Sequence, residues 1–234
     1  MRSRRVKSPV NPTIVDAASL FDLSELMEEQ AGSKITIDYG KFRERLDSLR
    51  QSRGWGKGSP NTILLSIDKN SEGQQRFLVM LRRSEFELDC IDFRETYVSL
   101  PPGRNPNEFY GASTRDKPVK AIKSLAPRVT YIAGLMARFE DPRLLVVSHS
   151  FDLYGPLTDL SRRIVSGKGK VGIAYFGSLL DYRWKLHGLF DEEIRKGLGI
   201  EFFDLDPYSD ELLGVNLASR ARPAPDGGSA LSRF

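Results

Sequence analysis

Three aspartates stand where short apolar runs end. Asp38 closes Lys34–Asp38 (K-I-T-I-D), Asp68 closes Thr62–Asp68 (T-I-L-L-S-I-D), and Asp152 lies just beyond Leu144–Ser148. Carboxylates gathered at one edge of a sheet hold hard divalent cations such as Mg²⁺ or Mn²⁺ through oxygen. Such ions activate water and stabilise the charge that develops when a phosphodiester is cleaved. An aspartate at a strand end also serves a plainer purpose, capping the helix that follows. Both readings apply to each of the three taken singly.

A basic run, Arg115, Lys117, Lys120, Lys123 and Arg128, is opposed within its span only by Asp116. It follows a loop that contains Phe109 and Tyr110. Rings that can stack on bases, next to cations that can meet phosphates, suit single-stranded nucleic acid. A second group comprises Arg162, Arg163, Lys168 and Lys170. The bland reading of both groups is solvated helix and loop charge.

Other chemistries fare worse. Ser148, His149 and Asp152 contain the residue types of a hydrolytic triad, but neighbours on a strand point to opposite faces, so Ser148 and His149 do not pair there. His187 is the only other histidine, and there is one cysteine, Cys90, which leaves too few ligands for zinc. The string G-W-G-K-G-S precedes a strand instead of opening a helix, so it does not serve as a phosphate loop.

These residues need a frame. The chain of 234 residues is long enough for one large α/β domain. A lone cysteine forms no internal disulfide. The apolar runs are strand-sized, far short of the roughly 20 residues of a membrane helix. No apolar segment follows the basic start, so no signal peptide is expected and the cytoplasm is the expected location. The net charge is +4; residues 1–14 carry +4 and residues 217–234 carry +2, which leaves the body at −2. Residues 1–14 are therefore expected to be a flexible basic arm, 15–216 one domain, and 217–234 a disordered tail. Partners that fit such arms are nucleic acid or an acidic protein.

Helical spacing marks 15–31, 41–53, 72–83, 118–139, 156–165, 179–189 and 192–196. Strand patterns mark 34–38, 62–68, 86–93, 144–148, 171–176 and 200–205. Alternation of this kind, with right-handed crossovers, predicts a doubly wound, mostly parallel sheet in a Rossmann-like three-layer arrangement. Ligands of such sheets bind at the carboxyl ends of the strands, which is where Asp38, Asp68 and Asp152 are expected.

The segment Val147–Leu157 (V-S-H-S-F-D-L-Y-G-P-L) resembles the strand-four motif of the NYN branch of the PIN-like ribonucleases, approximately V-S-G-D-x-D-F-x-P-L. The run I-T-I-D-Y-G-K-F resembles that family's opening strand, and the βα order from 34 to about 177 agrees with it. The resemblance implies metal-dependent RNA cleavage, with Asp38 and Asp152 as Mg²⁺ or Mn²⁺ ligands; Asp68, an acid at a strand end outside the resemblance, is a further candidate. There are departures. Lys41 stands near the family's asparagine, Ser150 at one acid position, and Lys120 at another within K-P-V-K. One extra residue separates Asp152 from Pro156-Leu157. The expectation is an eroded acidic centre that binds nucleic acid or serves in an assembly. Two alternatives stay open: an active ribonuclease using Asp38, Asp152 and Asp68, with Asp116 or Asp159 as replacement acids, and a protein-interaction module.

Overall fold

The computed structural model describes residues 11–17, 35–67, 72–92, 141–165, 169–177 and 199–214, with isolated positions between these segments. Six strands carry the architecture: β1 (Thr13–Asp16), β2 (Asn61–Ile67), β3 (Glu87–Asp92), β4 (Arg143–Val147), β5 (Lys170–Tyr175) and β6 (Ile200–Asp204). Four helices accompany them among the described residues: α1 (Tyr39–Ser52), α2 (Glu72–Arg83), α3 (Tyr154–Val165) and α4 (Ser209–Leu213). The strand order is β3-β2-β1-β4-β5-β6, and every neighbouring pair is parallel. The chain thus winds outward from β1 to one edge, then returns to β4 and winds to the other. This is a doubly wound, Rossmann-like sheet, as the βα alternation predicts.

Alternation along each strand divides the core into two layers. Val15, Ile63, Leu65, Leu145, Val147 and Ala174 face one cluster, which includes Phe42 and Leu46 of α1, Leu78 and Leu81 of α2, and Leu212 and Leu213 of α4. Ile14, Leu64, Leu144, Val146, Val171 and Ile173 face the other, with Leu157 and Leu160 of α3. With both faces covered, the inner strands are apolar at nearly every position. Among the described residues, no helix is long and apolar enough to cross a membrane.

The first strand is the main correction to the sequence reading. Thr13–Asp16 (T-I-V-D) is β1, buried at all four positions and paired with both β2 and β4. Residues 11–14, expected in a flexible arm, therefore include the start of the central strand. The helix expected from 15 gives its first two residues to β1; Ala17, Leu20, Ser24 and Glu28 are helical. Ile35–Asp38, expected as the first strand, is an irregular connection. Its backbone bonds outside the sheet, from Ile35 N to Glu28 Oε1 (2.9 Å) and from Asp38 N to Leu212 O (3.1 Å). Ile35 is buried and Thr36 exposed. That half-buried pattern suits a connection packed on a helix layer, not a strand covered on both faces.

Arg50, near the end of α1, locks the amino end of the sheet. It is fully buried, and its guanidinium donates to Pro12 O (3.1 Å), Arg143 O (2.7 Å) and Gly56 O (3.3 Å). One side chain thereby ties α1 to the entrances of β1 and β4. Burial lowers its pKa to about 10, while Asp47 opposes that shift. The loop after α1 closes over the same end. Trp55 is buried edge-on against Phe203, at 5.4 Å between ring centres. Both rings fill the space over Gly172 of β5, where a methyl group would meet Phe203 at 2.7 Å and Trp55 at 2.9 Å. Gly54 and Gly56 take positive φ on either side of Trp55, which only glycine does without strain. Asp47 Oδ1 accepts from Gly58 N at 2.7 Å. The glycines of G-W-G-K-G-S thus shape a loop that inserts a tryptophan into the core.

Candidate functional site

The strand order reverses between β1 and β4, and the crevice at their carboxyl ends is where doubly wound sheets place ligands. Val15 pairs with Val147, so the next residues, Asp16 and Ser148, stand side by side at the exits of the two strands. Both continue the face of Ile14 and Val146. Ser148 Oγ donates to Asp16 Oδ2 at 2.7 Å, and both residues are buried, at 0% and 4% exposure. The same hydroxyl accepts from Ser150 N at 3.1 Å. That bond turns the chain into the 3₁₀ turn Phe151–Leu153 that leads to α3.

His149 points to the other face, as alternation predicts. Its Nε2 accepts from Phe176 N at 2.9 Å, and its ring lies parallel to that of Phe176 at 5.8 Å. A nitrogen that accepts a backbone N–H carries no proton, so the proton of the neutral ring sits on Nδ1. Burial pushes the pKa down to about 3. His149 is therefore no base for Ser148, whose hydroxyl proton is directed to Asp16.

At the exit of β6, Asp204 holds two loops. Its Oδ1 accepts from Gly177 N (3.2 Å) and Asp206 N (2.9 Å). The carboxylate thereby joins the chain leaving β5 to the turn leaving β6.

The expected acids are distributed as follows. Asp38 closes no strand: it is the N-cap of α1, exposed, and its Oδ1 accepts from Lys41 N at 3.0 Å. Lys41 Nζ lies 4.0 Å from its other oxygen. Asp38 is thus a helix cap, the plainer role that a strand-end aspartate can fill. Asp68 lies outside the described residues, directly after β2. Asp152 belongs to the 3₁₀ turn beyond β4, and its side chain lies outside the description. Arg115, Lys117, Lys120, Lys123, Arg128, Phe109, Tyr110, Asp116 and His187 also lie outside the described residues. Asp159 is on the exposed side of α3, within 3.8 Å of Arg162.

Asp16 is the site residue that sequence reasoning missed. The signal was there in the short β-branched run after Pro12 that ends in an acid. Among the described residues, no group of three His, Cys, Asp or Glu side chains is placed to hold a metal ion. The described part of the crevice offers one carboxylate already engaged by a hydroxyl, two serines and a neutral imidazole.

No protein-family profile matches this chain, and neither a curated protein nor a solved structure proves similar to it.

Proposed function

We propose that this chain is a PIN/NYN-like domain with an eroded acidic centre, which binds nucleic acid, single-stranded RNA in particular, without efficient cleavage. The observation that carries the reading is the Asp16–Ser148 hydrogen bond at the switch point. It engages the central-strand carboxylate with a neutral hydroxyl. Ser150 follows where the resemblance calls for an acid. Removing acids from such a crevice lowers its repulsion for phosphate as well as its hold on metal. The basic run from Arg115 to Arg128, with Tyr110 ahead of it, supplies the residue types that a single strand needs.

The test pairs binding with cleavage. Fluorescence anisotropy with a labelled single-stranded RNA should show binding that weakens steeply with salt, as phosphate contacts require. Charge reversal at Lys117, Lys120 and Lys123 together should abolish it. The same RNA should stay intact with Mg²⁺ or Mn²⁺. Mn²⁺-dependent cleavage that disappears in Asp16→Asn would overturn the reading in favour of an active ribonuclease, for which Asp16 with Asp152 and Asp68 would be the acids. Failure to bind any single-stranded RNA at low salt would leave the protein-interaction module.

A further inference from the structure

We propose that a depression at the opposite, amino-terminal edge of the sheet binds a small molecule carrying a phosphate group. The depression has a volume of about 390 Å³ and lies against Arg53, Trp55, Asp141, Arg143, Lys170 and Glu201. Arg143 and Lys170 open the adjacent strands β4 and β5 and pair directly in the ladder. Glu201 is the second residue of β6. The site therefore sits at the entrances of three neighbouring strands, away from the crevice of Asp16 and Ser148, and does not depend on how that crevice is read.

Three cations face two acids there, and the acids are already engaged. Arg143 Nη2 donates to Asp141 Oδ2 at 2.9 Å, and Arg53 Nε lies 4.0 Å from Glu201. Lys170 has no ion-pair partner among the described residues. Arg143 is held rigid by a further hydrogen bond from Nη1 to Gly54 O, yet its Nε is buried with no acceptor. The exposed Arg53 guanidinium lies 5.6 Å from the Phe203 ring. The depression thus carries one net positive charge, three cations against two acids, with the Lys170 ammonium as the donor free of an ion pair among the described residues. Oxyanions match such donors best, and arginine forks favour phosphate. The volume exceeds that of bare phosphate and falls in the range of small-ligand sites, about 300–1,000 Å³. A phosphomonoester with a group attached fits it better than the free ion.

Thermal unfolding of the full chain tests this. The protein is melted in rising inorganic phosphate, in rising adenosine monophosphate, and in sodium chloride of matched ionic strength. Phosphate or the monophosphate should raise Tm in a dose-dependent way that chloride does not reproduce. A steeper response to the monophosphate would assign the ligand to the phosphomonoesters, and an equal response to free phosphate. Lys170→Ala and Arg53→Ala alter exposed side chains, so they should fold and should weaken the apparent affinity about tenfold each, the loss of one charged hydrogen bond. Equal Tm in all three salts, or an unchanged dose response in both variants, would overturn the proposal.

Discussion

Ser148 Oγ donates a 2.7 Å hydrogen bond to Asp16 Oδ2 across the junction between β1 and β4. The two residues are 132 positions apart in the chain, yet they lie at the one place where the doubly wound sheet reverses direction. The bond joins the exits of the two central strands. It commits the central carboxylate to a neutral donor, and through Ser150 N it sets the turn that starts α3.

Removing that donor should be costly. Ser148→Ala leaves a buried carboxylate oxygen without this hydrogen bond and frees Ser150 N. Urea denaturation should show a loss of about 1–3 kcal/mol, whereas Ser148→Thr, which keeps the hydroxyl, should lose less. A Ser148→Ala protein as stable as the parent would refute the importance of the bond.

His149 predicts a dependence on pH. Its folded pKa, about 3, lies below the ordinary 6.5. Below pH 6.5 the unfolded chain takes up a proton that the folded chain refuses. Stability from this group is thus complete above about pH 6.5 and falls as pH drops toward 3, by at most about 1.4 kcal/mol per pH unit. The stability difference between wild type and His149→Gln should shift in that direction between pH 7 and pH 4. Parallel stability profiles for the two proteins would contradict the assignment.

Arg50 is expected to be the most sensitive position at the amino end. Arg50→Ala removes a buried guanidinium and takes this donor from Arg143 O and Gly56 O, while Pro12 O keeps its bond from Leu145 N. The expected loss is about 1–3 kcal/mol for each buried acceptor left unsatisfied, read by chemical denaturation. Arg50→Lys should recover little, since an ammonium cannot reach acceptors on two strands with a fork's geometry. Full recovery by lysine would show that charge alone, and not the fork, holds the strands.

Much of the fold was legible in the sequence. The runs at Thr62–Asp68, Leu144–Ser148 and Val171–Phe176 are continuous and apolar, and each became an inner or near-inner strand displaced by no more than one residue. Glu72–Arg83 is a helix over the expected span. Local pattern suffices there because each run is long enough to show its period. T-I-V-D and K-I-T-I-D, of four and five residues, lack such a continuous apolar run, and each combines β-branched residues with a terminal aspartate. Their difference lies in alternation: all of the first is buried, whereas Ile35 is buried beside an exposed Thr36 in the second.

What the sequence by itself determined was therefore the α/β class, the βα alternation and the opposed facing of Ser148 and His149. These follow from periodicity, which is a property of neighbours along the chain. Tertiary structure alone decided which β-branched run enters the slot between β2 and β4. It admitted Thr13–Asp16 and left Asp38 to cap α1. That slot is covered on both faces and flanked by a strand on each side, and only a run with no exposed position can occupy it without burying an unpaired polar group. The choice moved the central acid from Asp38 to Asp16 and set it against Ser148, a contact that no spacing along the chain reveals.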